Sequence, residues 1–249
     1  MRHVLTILAL LAVATPVAAA PLTIMVEDAS EPFSRRDGSG YANDIVRAAF
    51  KAAGVDIRFD VVPYARCKKS VEDGVTPACF AMSWSPEMAG KLVLSRESLF
   101  QVYVDVFQKK GGKSPIASAA DFRKGAILGL MNAYEYSDDI QALLKRGVVA
   151  ERGADETALL NMLARGRIDA AILMTSDFTP GVARLTAAGM TTSVAFAYRS
   201  ATMKSYMGFS LNNPQGQAAR KAFDDGYAIV IKNGTRDKIR AEWMNKVRR

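Results

Sequence analysis

The side chains available for chemistry are restricted, because the 249-residue sequence holds a single histidine, His3. That residue lies in an amino-terminal segment with the pattern of a secretory signal peptide, so the mature chain is predicted to contain no imidazole. Such a chain cannot build a serine–histidine triad or a histidine-ligated zinc site. Carboxylates, lysine and tyrosine remain as acids and bases. The sequence therefore excludes the commonest hydrolytic designs and predicts no metal site and no cofactor.

Two cysteines, Cys67 and Cys79, are the other candidates for covalent chemistry. In an oxidising compartment an even number of cysteines favours a disulfide. A bridge that closes a loop of this size stabilises a fold by about 3 kcal/mol. Two buried free thiols are the alternative interpretation. A metal site is disfavoured, since two thiolates would need further ligands that the neighbouring sequence does not show.

The basic side chains do not form a nucleic-acid pattern, although the formal net charge is +8. They are spread along the chain, with a modest cluster at Lys246, Arg248 and Arg249. They are not interleaved with aromatic residues in the stripe that single-stranded nucleic acid requires. We therefore expect no nucleic-acid partner. The positive charge therefore indicates either a solvated basic surface or a mild preference for anionic ligands or membrane surfaces.

The first twenty residues predict export. Arg2 and His3 form a short basic start, an apolar run follows at Val4–Val13, and small residues end the segment at Ala18-Ala19-Ala20. We expect cleavage after Ala20, which makes residues 1–20 the signal peptide. The apolar run is too short to span a bilayer as a helix of about 20 residues.

The mature chain shows the pattern of an α/β protein, because short β-rich runs alternate with amphipathic helical stretches. In a first series we predict strands at 22–26, 56–62 and 78–82 and helices at 41–53 and 64–73. A second series begins near Gly111-Gly112, and there we predict strands at 126–131 and 169–174 and helices at 136–146 and 155–165. A long helix is predicted from Asn213-Pro214 to Asn233.

Two extended stretches, 99–109 and 206–212, lie where the first series meets the second. If both are antiparallel crossovers, the chain passes twice between two lobes, which is the geometry of a hinged clamp. Lobe 1 is then residues 21–105 plus 205–249, and lobe 2 is an insertion at 106–204. The predicted fold class is α/β, with two lobes of mainly parallel sheet flanked by helices and joined by two crossover hinge strands.

Seven short motifs occur in a fixed order along the mature chain. They are Glu31-Pro32-Phe33, Gly40-Tyr41-Ala42-Asn43-Asp44, Val62-Pro63-Tyr64-Ala65-Arg66, Ser83-Trp84-Ser85-Pro86-Glu87, Leu94-Ser95, Ala133-Tyr134-Glu135-Tyr136 and Gly166-Arg167-Ile168-Asp169-Ala170-Ala171. With these motifs the sequence resembles the bacterial periplasmic (extracellular) solute-binding proteins of the polar-amino-acid-binding type, family 3, which have the type 2 periplasmic-binding fold. The resemblance implies a periplasmic monomer that binds a small molecule between its lobes. It also implies delivery of that ligand to a membrane transporter permease or, in some relatives, to a receptor.

The sequence departs from the family pattern at two ligand anchors. In amino-acid binders an arginine after the serine-rich loop grips the α-carboxylate of the ligand, and the matching position here is Met88. An aspartate usually receives the α-ammonium, and the matching position here is Met174. Asp177 lies three residues further on and is a candidate substitute. Methionine replaces neither charge, so these departures argue against ordinary α-amino acids as ligands.

Candidate ligand-binding residues follow the predicted strands, where loops of α/β folds form crevices. Trp84, Tyr64, Tyr134 and Tyr136 suit the walls of a cleft, with lobe core as the alternative. Arg66 suits an anion beside a helix amino terminus, with a surface salt bridge as the alternative. The hydrogen-bonding candidates, which are otherwise plain loop residues, are Ser83, Ser85 and Asn132.

Two further groups are ambiguous in the sequence. Glu27 and Asp28 end the first strand, where they either face a cation or serve as capping or solvent-exposed residues. The four methionines near strand ends form either a soft apolar pocket or core; they are Met82, Met88, Met131 and Met174. Copper and haem sites are disfavoured, since such sites pair methionine with histidine or cysteine.

Three functions are compatible with these features. A transport-linked binding protein that does no chemistry on its ligand is the main hypothesis. A ligand-sensing partner of a membrane receptor needs the same clamp and is the alternative. A dehydratase or lyase on the same fold is the least favoured, because no paired carboxylates lie on convergent motifs.

Overall fold

The computed structural model describes residues 20–112 and 114–248, so the predicted signal peptide lies outside the described residues except for Ala20. The described chain forms a nine-stranded sheet and seven α-helices. The strands of this sheet are β1 (Leu22–Glu27), β2 (Ile57–Val62), β3 (Ala78–Met82), β4 (Leu92–Leu94), β5 (Phe100–Lys109), β6 (Ile127–Met131), β7 (Val149–Gly153), β8 (Ala170–Thr175) and β9 (Val194–Ser210). The helices are α1 (Tyr41–Ala52), α2 (Tyr64–Glu72), α3 (Asp138–Lys145), α4 (Glu156–Ala164), α5 (Gly181–Ala187), α6 (Gly216–Lys232) and α7 (Thr235–Val247). None of these helices is long and apolar enough to cross a membrane.

The sheet divides into two halves, each built on parallel pairs. In the first half, which we call lobe 1, β1 pairs in parallel with β2 and β3. In the second half, lobe 2, β6 pairs in parallel with β7 and β8. Because the carboxyl ends of parallel strands meet at one edge of a sheet, the loops after these strands gather in two opposed groups.

Two long strands connect the lobes. β5 and β9 pair antiparallel, from Lys109 opposite Val194 to Phe100 opposite Ser205. Beyond Ser205 strand β9 continues into lobe 1 and pairs with β3 and β4. The predicted fold class, with two α/β lobes and two crossover strands, is therefore confirmed.

Each lobe has its own apolar core on both faces of its sheet. In lobe 1 the larger core lies under α1, α6 and α7, where Phe50, Phe80, Phe209, Phe223 and Tyr227 are buried. The other face is covered by α2 and holds the predicted disulfide, which is formed between Cys67 and Cys79. In lobe 2, α3 covers one face and α4 and α5 cover the other.

Helix α1 shows how closely local sequence determines an element. Its apolar residues Ile45, Val46, Ala49 and Phe50 recur at helical spacing, and all four are fully buried. The helix ends at Ala52, and Gly54 follows with a φ of 72°, in the left-handed region that favours glycine. The prediction of a helix at 41–53 therefore agrees with the structure within one residue.

The crossover near the carboxyl terminus is longer than predicted. An extended stretch was expected at 206–212, whereas β9 spans 17 residues from Val194. The segment 194–205 has no regular alternation of apolar and polar side chains, and its pairing with β5 supplies the order that its own pattern does not show. Strands β4 and β7 and helices α5 and α7 were not predicted.

Candidate functional site

A cleft of about 340 Å³ lies between the two lobes. Its walls come from the loops after β1, β2, β3 and β6, from the crossover strands and from the start of α4. The residues that line it are Glu27, Asp28, Ala29, Ser30, Phe33, Pro63, Tyr64, Ala65, Ala81, Ser83, Phe100, Val102, Met131, Asn132, Tyr134, Glu135, Ala154, Asp155, Glu156, Met174, Arg184 and Ser205. Both lobes therefore contribute to one small chamber, within the size range of small-molecule sites.

The carboxylate of Glu135 is the most heavily bonded group in this cleft. Glu135 comes from lobe 2, and its side chain reaches into lobe 1. There the Tyr64 hydroxyl donates to Oε2 of Glu135 at 2.8 Å, and the Lys68 ammonium lies 2.8 Å from Oε1. The backbone N–H of Ser83 also donates to Oε2, at 3.3 Å. Since Glu135 is only 8% exposed, its charge depends on these three donors.

A second polar contact joins the lobes beside the first. The Tyr134 hydroxyl donates to Oε1 of Glu27 at 2.6 Å, which links lobe 2 to the end of β1. The rings of Tyr64 and Tyr134 meet edge to face with their centroids 5.2 Å apart. Together these side chains hold the lobes closed over the floor of the cleft.

Burial controls the titration of this cluster. It raises the pKa of Glu27 to about 7, although hydrogen bonds from Tyr134 and Ser30 oppose the rise. It also raises the pKa of Glu135, against the opposing charge of Lys68. Burial tends to lower the pKa of Lys68, but the Glu135 and Glu87 carboxylates raise it overall, so this ammonium remains charged.

The two tyrosines remain protonated donors at neutral pH. Burial and the adjacent carboxylates raise the pKa of both Tyr64 and Tyr134 well above the ordinary value. Each hydroxyl therefore supplies a hydrogen to a carboxylate oxygen, which is the arrangement that charge-assisted hydrogen bonds favour.

The charge of the cleft is opposite to that of the whole protein. Among the described residues that line it, five are acidic, namely Glu27, Asp28, Glu135, Asp155 and Glu156. The one basic lining residue in that range, Arg184, forms an ion pair with Glu156 and donates to Oγ1 of Thr179 at 3.2 Å. The chamber is thus acidic within a chain of net charge +8.

Apolar surfaces complete the chamber. The rings of Phe33 and Phe100 stack with their centroids 3.7 Å apart. Met174, Met131 and Val102 add aliphatic surface to the same lining. Within residues 20–112 and 114–248, no cluster of histidine, cysteine, aspartate and glutamate side chains is arranged to hold a metal ion.

A family model matches residues 22–246, and it describes the bacterial extracellular solute-binding proteins, family 3. The chain belongs to this family. The resemblance inferred from the sequence motifs is therefore confirmed. No curated protein sequence gives a significant match.

Solved structures with the same fold include both binding and sensing proteins. A histidine kinase sensor domain with similarity to periplasmic binding proteins matches with a TM-score of 0.74 at 20% identity, over 90% of this chain and 95% of that one. An ancestral arginine-binding protein bound to arginine matches with a TM-score of 0.73 at 20% identity, over 90% and 97%. The arginine-, lysine-, histidine-binding protein ArtJ from the thermophilic bacterium Geobacillus stearothermophilus matches with a TM-score of 0.72 at 18% identity, over 92% and 100%. At these identities the similarity concerns the fold.

Five of the sequence-predicted residues of this solute-binding protein meet in the cleft. Tyr64, Ser83, Asn132, Tyr134 and Met174 all line it. They come from the start of α2, from the loops after β3 and β6 and from β8, and these segments meet where the two opposed groups of strand ends face each other. Direct contact of these residues with a ligand stays a prediction.

Four other predicted residues lie outside the lining. Trp84 is 56% exposed and lines a surface groove instead. Arg66 and Ser85 also fall outside the cleft lining, and Arg66 is exposed because it projects from α2 on a different side from Tyr64. Tyr136 packs in the core of lobe 2, where its hydroxyl accepts a hydrogen bond from the Met131 N–H at 2.7 Å.

Met88, aligned with the family's arginine anchor, also lies away from the cleft. A short 3₁₀ turn at Pro86–Met88 directs its side chain into the core beneath α2. There it is fully buried in the apolar cluster that contains Cys67, Cys79 and Met82. An arginine at this position would have to find partners inside an apolar core, and contact of Met88 with a ligand stays a prediction.

Neither Glu135 nor Lys68 was predicted from the sequence as a site residue. Lys68 is four residues after Tyr64 on α2, and this spacing places both side chains on one helix face. A search for side chains on the same helix face as Tyr64 would therefore have selected Lys68. Glu135 stood in a motif between two tyrosines, but no local pattern connects it to partners at positions 64, 68 and 83.

Replacing Tyr134 with phenylalanine should lower the free energy of unfolding by about 1–2 kcal/mol at pH 7.5. The change removes the donor to Glu27 while the carboxylate stays buried, and a lost partner of a buried polar group costs about that much. Urea denaturation measures the difference. Tyr198→Phe is the control, because its hydroxyl bonds to no other described residue. Equal losses in both variants would contradict the role assigned to the Tyr134–Glu27 contact.

Proposed function

We propose that this protein captures a small organic ligand between its lobes in the periplasm, leaves it chemically unchanged and presents it to a membrane transporter permease. The observation that carries the proposal is the cleft itself, whose lining is shared by both lobes. A ligand held there contacts both lobes only when they are closed. Its binding energy therefore shifts the population toward the closed form, and a transporter can distinguish that form from the open one.

A thermal-shift screen tests the proposal. The panel contains amino acids, di- and tricarboxylates, aromatic acids, amines and sugars. A ligand at a hundred times its dissociation constant stabilises its protein by about 2.7 kcal/mol. For a chain of this size that corresponds to roughly 5–10 °C in Tm.

The ligand that gives a shift is then recovered and identified by mass spectrometry. Recovery of the unchanged compound supports capture without chemistry. A steady conversion to product would replace the proposal by catalysis on this fold, and no shift with any class would contradict ligand capture.

Sensing is the second candidate, and the similarity to a histidine kinase sensor domain favours it. Both functions need the same closing clamp, so they differ in the membrane partner. Deleting the gene separates them. Loss of uptake of the labelled ligand supports transport, whereas loss of the transcriptional response to the ligand with normal uptake supports sensing.

The lobe boundaries are a separate proposal. We propose residues 21–105 plus 205–249 for lobe 1 and 106–204 for lobe 2. The register of β9 supports this division, because Ser205 is paired with Phe100 of the crossover and Tyr206 is paired with Met82 of lobe 1.

A further inference from the structure

We propose that the ligand is an organic cation that carries no carboxylate, because Glu135 of the chain itself occupies the carboxylate-binding part of the cleft. This inference rests on the proposed function of ligand capture and specifies the class of ligand. It follows from three features of the cleft: the donors around Glu135, the excess of acidic side chains and the aromatic walls.

Lobe 1 presents an anion site at the floor of the cleft. Tyr64 and Lys68 project from the first two turns of α2, and the Ser83 N–H points to the same place from the end of β3. A hydroxyl, an ammonium and a backbone N–H that converge from one lobe are a set of donors suited to a carboxylate. The group they hold is the Glu135 side chain of the opposite lobe.

The donors are therefore already used when the lobes are closed. All three contacts lie between 2.8 and 3.3 Å from the Glu135 oxygens. A ligand carboxylate could reach the same donors only by displacing Glu135 and leaving a second carboxylate in the same small, buried space. Like charges at such a distance repel strongly where water is largely excluded.

The rest of the chamber carries carboxylates on both lobes. Lobe 1 contributes Glu27 and Asp28, and lobe 2 contributes Asp155 and Glu156. Arg184 offsets part of this charge through its pair with Glu156. A cation between the lobes would meet acidic groups on each side and would stabilise the closed form through both.

The walls suit the remaining part of such a ligand. The stacked pair Phe33 and Phe100, together with Tyr134, presents aromatic surface, and Met174 adds an adaptable apolar group. Aromatic faces attract ammonium and guanidinium groups, and methionine fits irregular alkyl or aryl chains. Alkyl- or arylamines and guanidines of modest size match a chamber of about 340 Å³.

Matched pairs of probes test the inference, since an amine and its parent amino acid differ only by the carboxylate. We would compare agmatine with arginine, cadaverine with lysine and tyramine with tyrosine by calorimetry on the mature protein. For at least one pair we expect the amine to bind ten times more tightly than the amino acid, or better. Tighter binding of the amino acid in every pair that binds would overturn the inference and leave ligand capture intact.

Replacing Glu135 with alanine tests the cause of this preference. The variant vacates the anion site, while Lys68 keeps Glu87 as a partner at 2.6 Å and so remains paired. We expect the ratio of amine to amino-acid affinity to fall at least tenfold. The ratio is the informative quantity, because a general loss of lobe closure weakens both probes equally. Glu135→Gln removes the charge and keeps the bulk, so it should lower the ratio by less.

Glu151→Ala is the matched control, because Glu151 is an exposed acid on β7 of the same lobe. It should leave the ratio unchanged. An unchanged ratio in Glu135→Ala as well, with the fold intact by circular dichroism, would overturn the role of Glu135. If neither these probes nor the wider panel binds, ligand capture itself is contradicted and the inference falls with it.

Discussion

Replacing Glu27 with glutamine should stabilise the ligand-free protein by about 3 kcal/mol above pH 7 and change its stability little in acid. Burial raises the pKa of Glu27 from 4.5 to about 7 in the folded protein. The folded state therefore keeps a proton that the unfolded state releases, and wild-type stability falls as pH rises between these two values. One pKa unit corresponds to about 1.4 kcal/mol, which sets the size of the loss. Glutamine stays neutral and still accepts the Tyr134 hydrogen bond, so the variant does not lose stability as the pH rises.

Urea denaturation from about pH 4.5 to pH 8 measures this effect as a difference between variant and wild type. Taking the difference removes the contribution of every other titrating group. Glu242→Gln is the control, since Glu242 is exposed on α7 and its replacement should leave the pH profile unchanged. Parallel profiles for wild type and Glu27→Gln would show that Glu27 is ionised at its ordinary pH in the folded protein.

Removing the Cys67–Cys79 disulfide should lower the free energy of unfolding by about 3 kcal/mol. The two residues are 12 positions apart with a Cα–Cα distance of 5.8 Å, and the bridge connects α2 to β3. Closing a loop of this length lowers the conformational entropy of the unfolded chain, which stabilises the folded state by about that amount. Both residues are fully buried, so the double variant should carry alanine, which adds no polar group to the core.

The comparison is between oxidised wild type and the Cys67→Ala/Cys79→Ala variant in urea. A reductant should weaken the wild type and leave the double variant unchanged. If the wild type unfolds at the same urea concentration with and without reductant, the bridge contributes nothing measurable. Because α2 also carries Tyr64 and Lys68, we expect the double variant to bind its ligand more weakly as well.

The elements of lobe 1 were the most predictable part of the fold. The strand predicted at 78–82 has the same bounds in the structure, and helix α2 ends one residue before its predicted end. Glycine and proline mark the ends of these elements, and their apolar residues follow a clear period. Strand β9 is different, because its order comes from pairing with a distant strand. Helix α7 lacks a strong apolar face, and Trp243 is its one buried residue.

The site was predictable only in part, for a related physical reason. Loops after parallel strands were expected to form it, and Tyr64, Ser83 and Tyr134 do line the cleft. The partners of a side chain in the cleft depend on how the two lobes meet, however, and no local sequence spacing determines that. Glu135 contacts a tyrosine that is 71 positions away in sequence. Met88 shows the converse, since alignment placed it at an anchor while a single turn directs it into the core.

The continuity of β9 determines how the lobes of this protein can move. Sliding β9 along β5 by one residue would turn each of its side chains to the opposite face of the sheet, so slippage of the two strands is strongly disfavoured. Flexing the two-stranded ribbon keeps its ladder intact. Its register shifts between Phe196 and Tyr198 and again between Arg199 and Ala201, and such irregularities bend and twist a ribbon locally. We therefore expect opening of the lobes to bend this ribbon and not to slide its strands, so that the mouth of the chamber widens more than its floor.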